Sequence, residues 1–495
     1  MGAISTHAPG SASEQVRGLI LFGALALAVP AAASTPPSAP KQGPRLPPAW
    51  EETTREIFKR SVEFPTVAGR GQVEVFATYL AGKLKGAGWT EQDIRILPYE
   101  PVAGNPTAAL IARWPAVTPS GRKPIVILAH MDVVEALPGD WSTDPFKLIE
   151  KDGYFYGRGT LDNKQGLVGA TVALMKLRAA GLRPDRDIIL FFTGDEETSG
   201  KGAELGTTVW RKWLDPEFAL NSDAGGGSFK QSGASLGFAL QTSEKTYQSY
   251  TITVRNRGGH SSRPRADNAI YELSDALNKL AGYRFEPELN ETTRAYFTHR
   301  ARQEGESPLG RAMRAWLANG RDGAAADLIE ADEGEVGQTR TRCVATMLKA
   351  GHADNALPQL GEATINCRIM PGTDPKIVEA ELEGLVGPSV EIAPAYFEGK
   401  PSPVSPLRAD VMAAYREAVH ARFPSAPIIP QMSPGATDGM LFRSANIPVY
   451  GVDGGWGISP DDERAHGKDE RIPVQSLWDN VLHWESLVRS LSSKR

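Results

Sequence analysis

Imidazole and carboxylate side chains gather where apolar stretches of this 495-residue sequence end. In chain order they are His130, Asp132, Asp162, Glu196, Glu197 and Asp223, followed by His466 in a late polar loop. Imidazoles and carboxylates together suit zinc or a similar borderline metal ion. Two such ions need a bridging carboxylate, and a further carboxylate outside the metal shell can take a proton from water. These residue types therefore indicate hydrolysis assisted by metal ions.

The spacing of these groups indicates what some of them would do. Residues two apart point the same way along a strand, so the Asp132 carboxylate can reach the His130 ring and fix its tautomer. Asp195, Glu196 and Glu197 are adjacent carboxylates that repel one another. Because this charge must be absorbed by a cation or by protonation, the run favours a metal site.

Apolar runs predict the elements that would position these groups. Apolar strands precede His130 and Asp195, and two more begin near Phe218 and Pro448. A helical pattern over 166–181 separates the first two. Strand–helix–strand order with fully apolar strands predicts an α/β fold whose parallel sheet is covered on both faces. Ligands of such sheets bind beyond the carboxyl ends of the strands, where clusters distant in sequence can converge.

The sequence pattern changes after about Lys245. Residues 250–257 alternate between apolar and polar, as a half-exposed antiparallel strand does, and strand-like runs surround Cys343 and Cys367. We therefore predict a separate α+β domain inserted into the first, in which the polar segment 285–337 favours helix but carries no chemical signature. Helices are predicted over 50–84, 266–281 and 374–385.

These patterns divide the chain into five predicted segments. They are a signal peptide (1–33), a Pro-rich linker (34–49), the first part of a catalytic domain (50–245), an inserted lid or dimerisation domain (246–399) and the second part of the catalytic domain (400–495).

Composition excludes several classes of function. The 54 Lys+Arg and 59 Asp+Glu give a net charge of −5, which offers no basic footprint for nucleic acid. The two cysteines exclude a Cys-rich zinc or iron–sulfur site. The sequence has no dinucleotide fingerprint, phosphate loop or Gly-x-Ser-x-Gly elbow.

The amino-terminal sequence predicts export to the periplasm or the medium. The apolar run 19–33 is shorter than the roughly 20 residues of a membrane span, and Arg17 precedes it. The run ends in three alanines, small residues that suit cleavage after about Ala33. An uncleaved anchor and a buried helix are the alternatives. No later run is long and apolar enough to span a bilayer, so no membrane span is expected after cleavage.

Cys343 and Cys367 could pair in the compartment to which the protein is exported, although two unpaired core thiols are slightly favoured.

Six motifs in the same order carry a resemblance to a known family. They resemble the co-catalytic di-zinc metallopeptidase superfamily of carboxypeptidase G, aminoacylase, succinyl-diaminopimelate desuccinylase and carnosinase. The match covers roughly residues 50–490. The motifs are His130-Met-Asp132-Val-Val, Gly157-Arg-Gly-Thr-Leu-Asp162, Thr193-Gly-Asp-Glu196-Glu197, Asp223-Ala-Gly, Gly259-His260-Ser-Ser and Ala465-His466-Gly.

The resemblance implies a fold and a set of metal ligands. It implies a catalytic domain with a mixed, mostly parallel sheet between helices, and two zinc ions per subunit, with Co²⁺ or Mn²⁺ as substitutes. One ion would be held by His130, Asp162 and Asp223. The other would be held by Glu197, His466 and the same Asp162, which would bridge the two ions and precede a cis peptide bond.

The resemblance also implies the remaining catalytic and substrate-binding residues. Glu196 would act as general base and then as proton donor to the leaving amine, while Asp132 would orient His130. In the inserted domain, His260 would stabilise the oxyanion, in dimeric relatives across the subunit interface. The positions implied to bind substrate are Asn355, Arg368, Lys400 and the glycine-rich loop at Gly435.

The implied activity is hydrolysis of an amide or peptide bond next to a C-terminal amino acid with a free carboxylate. A metal-activated water would attack with Glu196 as base, and export favours a carboxypeptidase or dipeptidase. N-acyl-amino-acid amidohydrolase activity is the alternative, because the chemistry is the same. A binding protein that lost catalysis would lack Glu196 or a metal ligand, and all are present. A homodimer could form through edge strands of the inserted domain.

Overall fold

The computed structural model describes residues 44–395 and 399–493. The predicted signal peptide and most of the predicted Pro-rich linker lie outside the described residues. Within these two ranges, the structure contains no helix with the length and apolar character needed to cross a membrane.

The strands alternate with helices along much of the chain. The strands are β1 (Ile94–Val102), β2 (Asn105–Trp114), β3 (Ile125–His130), β4 (Ile149–Lys151), β5 (Tyr154–Tyr156), β6 (Ile188–Thr193), β7 (Phe218–Phe229), β8 (Ser235–Glu244), β9 (Thr246–Arg255), β10 (Gly259–His260), β11 (Arg342–Ala350), β12 (Ala356–Leu357), β13 (Leu360–Ile369), β14 (Glu391–Pro394), β15 (Ile428–Ser433), β16 (Val449–Ile458) and β17 (Arg471–Pro473). The helices are α1 (Pro48–Glu63), α2 (Val73–Gly86), α3 (Lys164–Ala179), α4 (Lys201–Thr207), α5 (Arg211–Leu214), α6 (Ala269–Gly282), α7 (Glu291–Glu304), α8 (Pro308–Ala318), α9 (Gly323–Ile329), α10 (Pro375–Val386), α11 (Ala409–His420), α12 (Asp438–Ser444) and α13 (Val474–Ser492).

The main sheet has eight strands in the order β1-β2-β6-β3-β7-β16-β8-β15. Its central strands β6, β3, β7 and β16 are parallel, whereas β1, β2 and β8 add antiparallel pairs. Ile125 and Ile127 of β3 pack into one core with α3 and α13, while Val126 and Leu128 pack into a second core with α4 and α12. Two buried faces explain the uninterrupted apolar strands and confirm the predicted mixed, mostly parallel α/β sheet.

The first helical region is two helices rather than the single helix predicted over 50–84. Helix α1 ends at Glu63 because Phe64 is extended, and Phe64 precedes Pro65, a position where helical geometry is disfavoured. Gly69 and Gly71 then take positive φ values before α2 begins. The apolar spacing over 50–84 therefore continues across a loop that separates two helices.

A second sheet lies within the predicted insert 246–399. Its four antiparallel strands have the order β11-β13-β9-β14. Strand β13 alternates buried and half-buried residues, and its buried face packs with α6 and α10 around a separate core. The chain passes from β8 of the main sheet to β9 of this sheet at Lys245.

The two cysteines form a disulfide, so the slight preference for unpaired thiols was wrong. Cys343 on β11 and Cys367 on β13 are direct partners in the antiparallel register, with Cα atoms 4.0 Å apart. This register brings both side chains to one place, and the sequence alone does not reveal it.

The polar segment 285–337 forms the three helices α7, α8 and α9. Phe297 and Trp316 are fully buried and pack edge to face in a small core of their own. The Thr292 hydroxyl of α7 hydrogen-bonds the Thr242 hydroxyl of β8, which joins these helices to the main sheet.

Candidate metal centre

Neighbouring parallel strands bring the predicted metal-binding residues to one edge of the main sheet. His130 ends β3, and it pairs in register with Thr193, which ends β6. Glu196 and Glu197 follow in the turn after β6, and Asp223 lies in β7 on the other side of β3. The strands therefore deliver these side chains at the same level, as the order of apolar runs predicts.

Two groups of metal-binding side chains share one carboxylate. The first contains His130, Asp162 and Asp223, with His130 Nε2 at 3.0 Å from Asp162 Oδ1 and 3.5 Å from Asp223 Oδ1. The second contains Asp162, Glu197 and His466, with His466 Nε2 at 3.2 Å from Asp162 Oδ2 and 2.9 Å from Glu197 Oε2. In each group the ligand atoms all lie within 4.8 Å of one another. Asp162 offers one oxygen to each group, as a bridging carboxylate would.

The carboxylates and histidines of the centre shift one another's pKa values. Burial would lower the pKa of His130, but the Asp223 carboxylate and hydrogen bonds to neighbouring carboxylates raise it well above its usual value. Hydrogen bonds to Asp162 and Glu197 raise the pKa of His466 to about 10. Burial raises the pKa of Asp223 to about 7 and that of Glu196 well above its usual range.

The donor set fits a pair of divalent cations. Four carboxylates and two imidazoles converge at this edge of the sheet, and the negative charge of the carboxylates raises the pKa of both histidines. A divalent cation would compensate the same negative charge. His130 Nδ1 lies 3.0 Å from the Asp132 carbonyl oxygen, which accepts a hydrogen bond from it and directs Nε2 toward the carboxylates. Such a second hydrogen bond is usual behind a metal-binding histidine.

Asp132 orients the centre through two different groups. Its carbonyl oxygen contacts the His130 ring, whereas its carboxylate lies 3.6 Å from the same ring nitrogen. That carboxylate accepts the backbone N–H groups of Glu196 and Glu197 at 3.2 and 3.0 Å. Asp132 therefore links β3 to the turn after β6, a connection that the i, i+2 spacing did not indicate.

Only two of the three adjacent carboxylates face the centre. Asp195 instead accepts the backbone N–H groups of Lys201 and Gly202 at 2.7 and 2.9 Å, at the start of α4. It also accepts the hydroxyls of Tyr99 and Ser199. Asp195 thus fixes the turn that presents Glu196, which lies in a further group with His130 and Glu197.

Asp162, the carboxylate that the two groups share, is held by residues that its own motif does not reveal. The Asp162–Asn163 peptide bond is cis, as the resemblance implied. Asn163 Nδ2 donates to the Ser222 carbonyl and to Asp223 Oδ1, which ties the two ligand loops together. Glu470 accepts the Asp162 backbone N–H. Its neighbours in sequence, Asp469 and Arg471, are charged, so the sequence alone is typical of an ordinary surface loop.

His260 and Asn355 meet on a small ribbon formed by β10 and β12. His260 pairs with Ala356, and the Ser261 N–H donates to the Asn355 carbonyl at 3.0 Å. The Ser262 backbone N–H donates to His260 Nδ1 at 3.1 Å. Because a backbone N–H can only donate, Nδ1 acts as an acceptor and Nε2 is the ring nitrogen left to carry a hydrogen.

Arg368 lies near the end of β13, where it pairs in register with Tyr247 of β9. Its guanidinium stacks over the Tyr247 ring at 4.7 Å, and its Nε donates to Asn366 Oδ1 at 3.2 Å. Burial lowers the pKa of Arg368. Within residues 44–395 and 399–493, no carboxylate forms an ion pair with this guanidinium.

The two remaining predicted substrate-binding positions are Lys400 and Gly435. Lys400 is exposed, and its carbonyl accepts the Ser444 hydroxyl at 3.4 Å. Gly435 is half-buried in a loop whose Thr437 donates its N–H to the buried Glu244 at 2.9 Å. None of the hydrogen bonds described above joins the ligand groups to the predicted substrate-contacting residues, which are His260, Asn355, Arg368, Lys400 and Gly435.

Comparison with known proteins identifies the family. A family model described as peptidase family M20/M25/M40 matches residues 126–490. An N-fatty-acyl-amino acid synthase/hydrolase, PM20D1, of Xenopus tropicalis is 29% identical over 72% of this chain and 70% of that protein. Aminoacylase-1 of Mus musculus is 25% identical over 90% of this chain and 97% of that protein. The solved structure of the M20 family metallo-carboxypeptidase Sso-CP2 of Sulfolobus solfataricus has a TM-score of 0.65 and 18% identity, covering 88% of this chain and 98% of that one. The resemblance seen in the six motifs is therefore confirmed: the chain belongs to peptidase family M20/M25/M40 and is a hydrolase of that family.

Proposed function

We propose that this hydrolase cleaves the amide bond of N-acyl amino acids and releases an amino acid with a free α-carboxylate. The observation that carries the proposal is the pair of ligand groups sharing Asp162, with Glu196 beside them. His130, Asp223, Glu197 and His466 complete the two sets, which suit zinc, with Co²⁺ or Mn²⁺ as substitutes. When bound, the ions supply Lewis acidity that polarises the amide carbonyl and makes water a better nucleophile.

The side chains of the chain carry the proton transfers. Glu196 takes the proton of the attacking water and returns it to the leaving nitrogen, as its place beside both ligand sets allows. The Asp132 carboxylate fixes the backbone on either side of this base through two N–H groups. The Nε2–H of the exposed His260 is suited to donate a hydrogen bond to the carbonyl oxygen as negative charge develops on it.

Arg368 is proposed to recognise the carboxylate of the amino-acid product. Its guanidinium is already oriented by Tyr247 and Asn366, and a planar fork can bind both oxygens of a carboxylate. Asn355, Lys400 and the loop at Gly435 are proposed as further substrate contacts.

The relatives support an acyl group on the other side of the bond. The Xenopus protein is named for N-fatty-acyl amino acids and the mouse protein is an aminoacylase. The sequence analysis had favoured a carboxypeptidase or dipeptidase, and both kinds of enzyme use the same chemistry at the scissile bond.

We also propose that the chain is exported and forms a homodimer. The Cys343–Cys367 disulfide supports an oxidising compartment, in agreement with the predicted signal peptide. Strand β11 is an end strand of its sheet and exposes Val344, Met347 and Leu348, which suits pairing with a second copy.

A substrate panel tests the proposed function. Zinc-loaded full-length protein is incubated with N-acetyl and long-chain N-acyl amino acids, their C-terminal amides, and dipeptides, and products are followed by mass spectrometry. We expect cleavage of N-acyl amino acids but little cleavage of their C-terminal amides, and Arg368→Met should raise KM for the acids. Cleavage of dipeptides alone would overturn the acyl assignment in favour of the dipeptidase.

A further inference from the structure

A buried ion pair lies directly behind the bridging carboxylate. Glu470 is fully buried, Arg158 is nearly so, and Arg158 Nη1 donates to Glu470 Oε2 at 2.7 Å. Glu470 Oε1 also accepts the backbone N–H groups of Leu161 and Asp162 at 2.7 and 2.9 Å. The Gly159 N–H donates to Oε2 at 3.0 Å. One carboxylate thus receives four donors and fixes the loop that ends at the bridging residue.

The guanidinium of the same pair reaches the loop of the second histidine. Arg158 Nη2 donates to the His466 carbonyl at 3.3 Å, and its guanidinium stacks over Trp141 at 5.1 Å. His466 has a φ of +61°, a left-handed conformation that a non-glycine residue rarely takes. The hydrogen bond from Arg158 to the His466 carbonyl therefore helps to stabilise this backbone conformation, and with it the orientation of the His466 side chain.

We infer that the Glu470–Arg158 pair positions Asp162, which both ligand groups share, and His466 of the second group. Glu470 fixes the backbone of Asp162, and Arg158 fixes that of His466, across more than 300 residues of sequence. The inference rests on the two-metal centre of the proposed function. Both residues act through the ligands, so they are positioning residues rather than catalytic ones.

The hydrogen-bond pattern requires a carboxylate and a guanidinium. Each oxygen of Glu470 accepts two donors, so Glu470→Gln would turn an NH₂ group against an N–H donor despite its equal size. Arg158→Lys keeps the positive charge beside Glu470, but a single ammonium lacks the planar fork that also reaches the His466 carbonyl. The two variants therefore separate the two halves of the pair.

Calorimetric titration of zinc into the metal-free full-length chain tests the inference. We expect Arg158→Lys to weaken one of two zinc sites by about 10- to 100-fold and to leave the other unchanged. Glu470→Gln should weaken both sites, because Asp162 belongs to both ligand sets. Asp185→Asn is the matched control: Asp185 is a buried carboxylate paired with Arg122 before the start of β6, at the opposite end of that strand. It should keep both sites.

Further readouts distinguish positioning from a general structural role. Excess zinc should restore the activity of Arg158→Lys, and thermal denaturation of the metal-free variants checks that they fold. Arg158→Lys decides alone if Glu470→Gln does not fold. Two zinc ions bound with wild-type affinity in both variants, or equal weakening of both sites in Arg158→Lys, would overturn the inference. Fewer than two zinc ions in the wild-type chain would instead overturn the proposed function on which it rests.

Discussion

At the residue scale, Glu196 and Asp195 are adjacent carboxylates with different expected roles. Glu196→Gln should lower kcat by about 10²- to 10⁴-fold, because it removes the proposed base. Asp195→Asn should instead lower the free energy of unfolding by about 1–3 kcal/mol, since an NH₂ group replaces one of the two oxygens that accept N–H groups at the start of α4. Steady-state kinetics and urea denaturation of both variants check the contrast. Equal losses of kcat would contradict the assignment of these roles.

A second prediction at this scale concerns pH. Lys245 is fully buried, and burial lowers its pKa to about 7 despite the nearby Glu330. The unfolded chain therefore holds a proton on Lys245 between about pH 7 and pH 10.5 that the folded chain lacks, so stability rises with pH in this window and is lost as pH falls toward 7. The contribution is at most about 1.4 kcal/mol per pH unit. Lys245→Met should flatten the pH dependence of unfolding by that amount, and an unchanged slope would contradict a neutral Lys245.

The sequence was informative about residues whose type and spacing carry chemistry. His130 and Glu197 could be predicted because each follows an apolar strand that places it at the sheet edge. Glu470 and Arg158 could not, because Glu470 binds backbone N–H groups of a loop about 310 residues away. Any sequence can supply such groups, so no pattern reveals the partnership.

At the element scale, burial on both faces made the main strands predictable, whereas register did not follow from the sequence. The Cys343–Cys367 disulfide is a consequence of register between β11 and β13. It closes a segment with a sequence separation of 24 residues. Replacing both cysteines with alanine should lower the free energy of unfolding by about 3 kcal/mol, because the unfolded chain loses a constraint. Guanidinium denaturation measures this loss.

A reduced wild-type sample is the control for that prediction. It should unfold at the same denaturant concentration as the double alanine variant, apart from small packing differences at the buried Cys367. Identical unfolding of oxidised and reduced wild-type protein would show that the bond adds nothing to stability.

At the scale of the whole molecule, the proposed dimer depends on the exposed end strand β11. Met347 and Leu348 have 62% and 66% of their surface exposed. Leu348→Lys places a charge on the edge and should shift sedimentation from dimer toward monomer. Val209→Lys is a control with the same type of change at a residue 62% exposed outside the sheets. A wild-type chain that sediments as a monomer would contradict the proposed dimer.

The most direct test of the whole account is a zinc titration of catalysis. Metal-free full-length protein receives increasing zinc while release of free amino acid from an N-acyl amino acid is followed by mass spectrometry. The two ligand sets that share Asp162 predict activity that is absent without metal and saturates at two zinc ions per chain. Hydrolysis that persists in the chelated protein, or that never appears with two zinc ions bound, would contradict the account.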